Sequence, residues 1–345
     1  MDNRKLVKAL GILLSAFVVL GLACFFAGKA LLSNIYRDRV DIVSAPDSAA
    51  PFSEQELLDS PELLEAALRT DIDYFENGEI ARVPIYEQKK IDRFIFSILV
   101  VVQQGKTENQ NAQAQMLYVV SYNQLEYKFT VVAIPPETLV PLKGYGWNRI
   151  RAAYALGGIG MLMNTINDAF GLDIQDYVYI GTEELAALAD GINGIPTELT
   201  EGEAAYLNQT LGCELSAGQQ MLSGEQAVAY LMDDVSDGKG SLGRAKTQLK
   251  VVADTFYYLQ DSFTREYLYP FMVTIFQGIR TNLDFEILED LGHEIVMAED
   301  LQFHTLCLPY ADSFWEHTLD GAYGILPMFE KNRILLMQDL YGVNE

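Results

Sequence analysis

Three apolar segments that lie close together in the chain constrain its fold more than any other feature. They are Phe94–Val102, Leu117–Tyr122 and Phe129–Ile134, and β-branched and aromatic residues are frequent in all of them. A short and almost continuously apolar segment predicts a strand that is buried on both faces of its sheet. Because little chain separates the three segments, part of the sheet is expected to be antiparallel.

Helical patterns accompany these strands. One apolar stripe recurs at helical spacing in Ile159, Met163, Ile166 and Phe170. Ser223 and Gln226 have the spacing of a capping box, and Thr182 is expected to cap the helix that follows it. Further helices are predicted over Glu183–Ala189, Gly224–Leu231 and Pro327–Leu340, and further strands over Tyr177–Ile180 and Leu301–Leu308. The sequence therefore predicts an α/β fold, an α-β-α sandwich with a central mixed β-sheet.

An uncharged apolar run, Ala9–Gly28, precedes the predicted sandwich. At about 1.5 Å per residue, a helix of this length spans about 30 Å, the thickness of the hydrocarbon core of a bilayer. Arg4, Lys5 and Lys8 precede the run, and positive charge favours the cytoplasmic side. A cleaved signal peptide is the alternative, but the run is longer than a typical signal core. We predict one transmembrane signal-anchor helix with a cytoplasmic N-terminus and an extracellular main domain.

These patterns divide the chain into four parts. Residues 1–32 form the cytoplasmic tip and the transmembrane helix, and residues 33–90 form an acidic stalk interrupted by prolines. Residues 91–265 form the α/β domain, and residues 266–345 form a C-terminal extension that packs on the same domain.

Charge and residue usage exclude several functions. The formal net charge is −24, whereas nucleic-acid binding requires a positive surface. The sequence contains neither a Walker phosphate-binding loop nor a nucleophile elbow, and its three histidines lack metal-ligand spacing. Cys213 and Cys307 lie far apart in the chain, and whether they pair stays open, with free thiols favoured.

The segment Phe129–Gly158 carries the most informative motif. Pro135 and Pro136 end its strand because neither can donate to a sheet ladder. A loop that closes at Gly144–Gly146 follows, and a helix is predicted over Trp147–Leu156 before a glycine pair. A strand, a loop and a helix in this order are compatible with a functional site at the strand end.

The residues of this segment resemble the signature block of the LytR-CpsA-Psr family. That block has an isoleucine-proline-arginine-aspartate-threonine turn, then an asparagine-alanine-alanine-tyrosine helix and a glycine pair. In this chain Pro136, Glu137 and Arg151 stand at the arginine, aspartate and asparagine positions. The stretch Leu215–Tyr230 also resembles the family closely.

The resemblance implies a substrate class and a reaction. Enzymes of this family transfer a phosphate-linked glycopolymer from a polyprenyl diphosphate carrier to the cell wall. Such chemistry calls for Mg²⁺ held by carboxylates, for arginines that balance negative charge, and for an apolar groove that holds the lipid.

The chain departs from the family pattern at most of the charged positions. The family's aspartates and arginines correspond here to Gln104, Gln113, Gln115, Pro136, Met232 and Asp234. Neutral amides lack the anionic oxygens that Mg²⁺ prefers, and each lost transition-state donor costs about 10²–10³ in rate. These departures from the family pattern predict no bound metal or other cofactor and little of the usual turnover.

Five polar residues remain as candidates for the site. Glu137 keeps a carboxylate and is the candidate catalytic base, although a solvated loop acid is the more ordinary interpretation. Arg244 and Gln248 match the family's later arginine and glutamine, and they lie four residues apart on one helix face. With Arg149 and Arg151 they are candidate phosphate or diphosphate ligands, the alternative being the polar surfaces of helices.

Three hypotheses follow from these residues. The first is a degenerate family member that binds a polyprenyl-phosphate lipid or cell-wall glycan at the membrane, without efficient turnover, and that modulates active relatives. The second is a working phosphotransferase with a rebuilt site of Arg149, Arg151, Glu137 and Arg244. The third is a structural or protein-binding module of the envelope.

Overall fold

The computed structural model describes residues 36–37, 40–44, 53–69, 83–106, 114–238, 240–262, 279–283, 301–319 and 322–342. The predicted transmembrane segment, Ala9–Gly28, lies outside these ranges. Among the helices that the ranges contain, none combines the length and the apolar character needed to cross a membrane.

The described ranges contain both strands and helices. The strands are β1 (Tyr36–Arg37), β2 (Ile42–Ser44), β3 (Ile85–Glu87), β4 (Ile95–Gln103), β5 (Ala114–Asn123), β6 (Lys128–Ile134), β7 (Leu139–Leu142), β8 (Gly146–Arg149), β9 (Asp176–Gly181), β10 (Ile195–Leu199), β11 (Gly218–Leu222), β12 (Ile279–Thr281), β13 (Gln302–Cys307), β14 (Phe314–Leu319) and β15 (Ala322–Pro327). The helices are α1 (Gln55–Leu58), α2 (Pro61–Arg69), α3 (Arg151–Phe170), α4 (Thr182–Gly191), α5 (Glu201–Leu211), α6 (Gly224–Met232), α7 (Gly240–Ser262) and α8 (Phe329–Tyr341). A short 3-10 turn, Ser236–Gly238, precedes α7.

A seven-stranded sheet in the order β1-β12-β9-β4-β5-β6-β13 forms the centre of the structure. β5 pairs antiparallel with both β4 and β6, as their short connections predict. β9 pairs parallel with β4, and β13 pairs parallel with β6. The predicted α/β fold with a central mixed sheet is therefore confirmed.

Both faces of this sheet are buried under helices. Leu99 of β4 belongs to a core that includes Ile166 of α3, and α8 packs in the same layer. Val102 of β4 belongs to a second core on the opposite face, with Leu249 of α7 and side chains from α4, α5 and α6. Burial on both faces is the reason why the central strands are almost continuously apolar.

Most of the local predictions are confirmed. The three apolar segments form β4, β5 and β6, and the segments near residues 305 and 333 form β13 and α8. The capping box of Ser223 and Gln226 is present with both of its hydrogen bonds. The cap predicted at Thr182 is wrong, because Gly181 occupies that position and the Thr182 hydroxyl accepts a hydrogen bond from the N–H of Gly105 at 2.9 Å.

The helix predicted to end at the glycine pair runs on as α3. It begins only at Arg151, because the preceding residues form β8. Gly157 and Gly158 leave helical geometry, with φ of −144° and 70°, so they kink the helix. At Gly160 a Cβ would lie 1.9 Å from the carbonyl oxygen of Val83, so this glycine allows the chain before β3 to approach α3 closely.

The segment 33–90, predicted to be an acidic stalk, contributes α1, α2 and β3 in its described ranges. In the described ranges of this segment, α1 and α2 pack on the core beside α3, where Leu57 and Ala67 are fully buried. Glu62 and Glu65 are exposed on the outer surface of α2. The helix is amphipathic, because its exposed face carries these two acids while its inner face belongs to the core.

The C-terminal segment, residues 266–345, contributes to the same sheet and core. β12 pairs antiparallel with β9, and β13 forms the edge beside β6. α8 joins the end of α3, where Nε of Arg333 donates to the carbonyl oxygen of Ala169 at 2.8 Å. In its described ranges this segment is therefore part of the domain rather than an appendage to it.

Arg149 at the end of β8 is also part of the core packing, with 4% of the residue exposed. Its Nε donates to the carbonyl oxygen of Tyr323 at 2.8 Å, and its Nη2 donates to the carbonyl oxygen of Leu68 at 3.0 Å. The guanidinium thus joins α2 and β15 to the β7–β8 hairpin.

We expect Leu57→Ala to lower the free energy of unfolding by about 2–5 kcal/mol, because it leaves a cavity in the core. Leu63→Ala is the matched control, since Leu63 is 40% exposed, and it should change stability by less than about 1 kcal/mol. Chemical denaturation monitored by circular dichroism measures both values. Equal, small effects would show that this segment is a stalk after all.

We expect Arg149→Met to lower the free energy of unfolding by about 2–4 kcal/mol, because it leaves buried carbonyl groups without their donors. Arg93→Met removes an exposed arginine that stacks on Phe94, and it should cost less than about 1 kcal/mol. The same denaturation measurement compares the two variants, and a stable Arg149→Met protein would contradict this structural role.

Candidate functional site

A tight turn at the end of β6 carries Glu137. Pro135 and Pro136 begin the turn where the ladder of β6 stops. Thr138 closes it, because its N–H and its hydroxyl donate to the carbonyl oxygen of Pro135 at 3.0 and 2.7 Å. Pro136 is buried, so its ring is part of the packing.

Two distant elements hold this turn in place. The N–H of Ile325 in β15 donates to the carbonyl oxygen of Glu137 at 3.1 Å. The N–H of Arg151, the first residue of α3, donates to the carbonyl oxygen of Pro136 at 3.3 Å. These two hydrogen bonds tie the backbone of the turn to β15 and to α3.

Arg151 lies in an unusual place for a cation. The N-terminus of a helix carries partial positive charge, which disfavours an arginine unless an anion lies nearby. The first turn of α3 contains no acidic residue. The turn after β6 supplies the anion instead, because Oε1 of Glu137 lies 3.8 Å from Nη1 of Arg151.

Arg244, which lies on α7, also contacts the Glu137 carboxylate. The chain before this helix turns sharply around Asp233, a fully buried residue whose Oδ1 accepts the N–H groups of Val235 and Ser236 at 3.0 and 2.9 Å. α7 then places Arg244 beside Glu137 with its side chain only 8% exposed.

Glu137 is the common partner of both arginines. Nη2 of Arg244 lies 3.1 Å from Oε1 and 3.2 Å from Oε2 of Glu137. Ser241, one turn earlier on α7, donates its hydroxyl to Oε2. We refer to Arg151 and Arg244 together as the arginine clamp, and the Glu137 carboxylate lies between its two members.

Asp234 is a second acid at the edge of the clamp. Its Oδ2 lies 3.4 Å from Nη1 of Arg244, and 46% of its side chain is exposed. The clamp contributes two positive charges, while Glu137 and Asp234 contribute two negative charges. The site is therefore electrically balanced in the absence of a ligand.

Gln248 lies one turn beyond Arg244 and is buried. Its amide donates to the carbonyl oxygen of Leu231 at 2.8 Å, and its Oε1 accepts the hydroxyl of Tyr118 at 3.2 Å. Burial raises the pKa of Tyr118, and the positive charge of Arg244 acts in the opposite direction. Tyr118 thus stays a neutral donor, and Gln248 orients it beneath the clamp.

The other predicted positions differ in their burial and contacts. Arg149 is directed to the core contacts described above rather than to Glu137. Gln104 is exposed, whereas its neighbour Gln103 is fully buried at the end of β4 and accepts the hydroxyl of Tyr179. Of the remaining predicted positions, Gln115 and Met232 are partly buried, and Gln113 lies outside the described ranges.

The Mg²⁺ that the family resemblance implies does not fit the residues at this site. Both oxygens of Glu137 accept hydrogen bonds from Arg244, and one also accepts the hydroxyl of Ser241. In the described ranges no group of three or more His, Cys, Asp or Glu side chains has the arrangement of a metal site. Mg²⁺ requires anionic oxygens that are free to coordinate it, so we derive no step through a metal.

The two cysteines do not form a disulfide with each other. Cys213 and Cys307 are free thiols, and each packs against the second core. Burial raises the pKa of Cys307 to about 11, so this thiol is protonated at neutral pH.

Sequence patterns had not indicated Ser241, Tyr118 or the pairing of Asp234 with Arg244. Ser241 precedes Arg244 by three residues on α7, and this helical spacing was a usable signal. Tyr118 comes from the middle of a buried strand, where nothing local distinguishes it from a core tyrosine.

Comparison with known proteins places this site in a family. The LytR_cpsA_psr family model matches residues 77–328. Biofilm regulatory protein A of Streptococcus mutans is 29% identical over 177 residues, which cover 46% of this chain and 42% of that protein. Polyisoprenyl-teichoic acid--peptidoglycan teichoic acid transferase TagU of Halalkalibacterium halodurans is 26% identical over 159 residues, which cover 46% and 51%. The chain thus spans about half the length of these relatives.

The fold is also found in a solved structure. TagT (YwtF) of Bacillus subtilis with bound octaprenyl pyrophosphate lipid is 18% identical and superposes with a TM-score of 0.56, covering 77% of this chain and 100% of that one. At this identity the superposition demonstrates a common fold. Since the family model covers most of the sequence, including the turn, the clamp and β15, this chain belongs to the LytR-CpsA-Psr family.

Proposed function

We propose that this chain is a membrane-anchored cell-envelope protein that binds polyprenyl-phosphate-linked glycan or peptidoglycan without efficient turnover. The observation that carries the proposal is the arginine clamp, in which two helices bring guanidinium groups to the end of a central strand. Arginine donors match phosphate oxygens in geometry and charge. Such a cluster at the strand end is a suitable site for the phosphate of a lipid carrier.

The relatives support this ligand class. TagU is named as a teichoic acid transferase that acts between polyisoprenyl-teichoic acid and peptidoglycan. The TagT structure contains an octaprenyl pyrophosphate lipid. For this chain we infer a ligand of the same chemistry, with its phosphate groups at Arg151 and Arg244.

The composition of the site supports binding more than turnover. Transfer at a diphosphate needs a strong positive field to absorb charge that develops in the transition state. Here Asp234 and Glu137 neutralise the clamp. Three positions that we matched to charged residues of the family carry uncharged side chains, namely Gln104, Gln115 and Met232. Both oxygens of Glu137 already accept hydrogen bonds from Arg244, and one also accepts the hydroxyl of Ser241, so neither oxygen is free to contact an acceptor hydroxyl.

Membrane attachment is the remaining part of the proposal. The apolar run Ala9–Gly28 would hold the chain to the cell membrane as a single-pass anchor, with the main domain outside. The partners are then a lipid-linked glycan in the same membrane and active relatives of the family that share this ligand.

A working phosphotransferase is the second candidate. It is favoured by one observation, namely that Glu137, Arg151 and Arg244 of the proposed rebuilt site lie together. In that mechanism Glu137 would accept the proton of the attacking hydroxyl while the clamp stabilised the leaving phosphate. Arg149 would take no part, since its donors bind backbone carbonyl groups.

We expect Arg244→Gln and Arg151→Gln each to weaken binding to vesicles that contain a polyprenyl diphosphate by about tenfold or more. One charge-assisted hydrogen bond contributes about 1.5–3 kcal/mol, and 1.4 kcal/mol corresponds to tenfold in affinity. The full 345-residue chain, purified in detergent, is titrated against the vesicles. Lys250→Gln removes an exposed positive charge from the same helix and should leave the affinity within about twofold. Equal affinities for all four proteins would refute the proposed site.

We expect the purified chain to release no more phosphate from a lipid diphosphate–glycan donor than a buffer control. Addition of Mg²⁺ should not change this result, because both oxygens of Glu137 already accept hydrogen bonds. Release or glycan transfer that is lost in Glu137→Gln would instead establish the second candidate.

A further inference from the structure

We propose that the end of the central sheet that carries the arginine clamp faces the lipid bilayer, and that the opposite end points away from it. We refer to the end at which β4 and β6 finish as the clamp end, and to the end at which they begin as the far end. The inference rests on the membrane anchor of the proposed function, because it specifies which surface of the domain that anchor brings to the membrane.

The direction of β1 shows where the chain enters the sheet. β9 runs parallel to β4, β12 runs antiparallel to β9, and β1 runs parallel to β12. β1 therefore runs from the clamp end towards the far end. Its first residue, Tyr36, pairs with Arg280, and Arg280 pairs with Tyr179. Tyr179 pairs in turn with Val101, close to the last residue of β4, so the chain enters at the clamp end.

The chain keeps this direction after β1. β2 pairs parallel with β3, and β3 lies along α3, which begins at Arg151 of the clamp. The N–H of Val83, just before β3, donates to the carbonyl oxygen of Gly157 at 3.0 Å, and the N–H of Tyr86 donates to Oδ1 of Asn164 at 2.9 Å. The contacts of β3 thus move along α3 away from Arg151, so β2 and β3 also run towards the far end.

The linker between the anchor and β1 is short. Seven residues, 29–35, separate the apolar run Ala9–Gly28 from β1, and fully extended they span about 25 Å. From the level of Val101 back to Ile95, β4 covers about 20 Å. A linker from a bilayer at the far end would have to reverse its direction, cover this distance and pass the loops beyond it. At the clamp end no reversal is needed, so the linker favours a bilayer there.

The far end carries side chains that by themselves would favour contact with a bilayer. The turn between β5 and β6 lies beside the loop before β4, because the N–H of Gln124 donates to the carbonyl oxygen of Phe94 at 2.9 Å. The turn and the loop expose large apolar side chains and cations, namely Ile91, Leu125, Tyr127, Lys89, Lys90 and Arg93. Such a combination is typical of surfaces that bind anionic lipids. Exposure and charge alone thus predict the reverse orientation.

The clamp end carries the opposite charge. The turn before α7 exposes Asp234 and Asp237 on either side of Val235, which is 70% exposed. The sequence contains no lysine or arginine between Arg151 and Lys239, so α4, α5 and α6 add acids without compensating cations. Anionic lipids would repel this end. The anchor prevails because it is covalent and short, whereas the surface charges are exposed and screened by salt.

In this orientation Arg151 and Arg244 lie on the membrane side of the domain. A phosphate that is linked to a lipid stays at the surface of the bilayer, because burial of the apolar chain in the hydrocarbon is favourable. Such a phosphate can contact the clamp while its lipid stays in the membrane.

The test measures how far each end of the sheet lies from a bilayer. The full 345-residue chain, with Cys24, Cys213 and Cys307 replaced by alanine, is reconstituted in nanodiscs whose lipid headgroups carry an acceptor dye. A donor dye is attached to Val235→Cys at the clamp end or to Leu125→Cys at the far end, where the native side chains are 70% and 66% exposed. Energy transfer should place the donor at position 235 nearer to the bilayer by about 20 Å or more.

Two controls make the result specific. Glu183→Cys at the clamp end and Arg93→Cys at the far end should give the same order of distances, and this pair decides the question if a variant of the first pair does not fold. The order should also be the same in neutral and in anionic nanodiscs, because the linker and not the surface charge sets it. Insertion of about 20 Gly and Ser residues after Ile35 makes the linker a long flexible coil, so the difference in distance should fall by about half or more.

Equal distances for the two ends overturn the inference, as does a far end that lies nearer to the bilayer in either kind of nanodisc. A difference that survives the insertion also overturns it, because surface contacts would then set the orientation. Failure of the proposed function has other signatures. A chain that does not enter nanodiscs refutes the membrane anchor and this inference with it. Equal binding of wild-type protein and Arg244→Gln to vesicles with a polyprenyl diphosphate refutes the ligand site but leaves these distances unchanged.

Discussion

Burial of the central sheet on both faces is the constraint on which the rest of this structure depends. β4, β5 and β6 lie between two hydrophobic cores, and so they cannot carry charged side chains along their length. The charged side chains of the site therefore lie beyond the strand ends, and Pro135 and Pro136 create such an end where β6 meets α3. The site takes its position from the sheet, while its side chains come from the turn and the helices around it.

The electrostatic balance of the site distinguishes it from an open anion-binding cleft. Arg151 lies at a helix N-terminus and Arg244 is almost fully buried, two positions in which a cation is costly unless an anion is close. Glu137 stabilises both, and Asp234 completes the neutral set. The same carboxylate that stabilises the two arginines therefore competes with any anionic ligand for their guanidinium groups.

The family scaffold is held together by parts of the chain that lie far from the site in sequence. β15 fixes the turn through Ile325, and Arg149 joins β15 to α2 through two backbone carbonyl groups. Segments with the composition of a stalk and of an extension thus form part of the support of the site. This arrangement agrees with the family match, which begins before β4 and ends after β15.

The sequence by itself determined the local elements and the family. The central strands, the capping box of α6 and the family turn were all predictable, because each depends on residues within a few positions of one another. Only the tertiary structure decided that Arg149 belongs to the core and that Leu57 is buried. It also decided that Glu137 pairs with Arg244, a residue 107 positions away. Such pairings depend on how helices pack across the sheet, and the spacing of residues along one chain does not specify that packing.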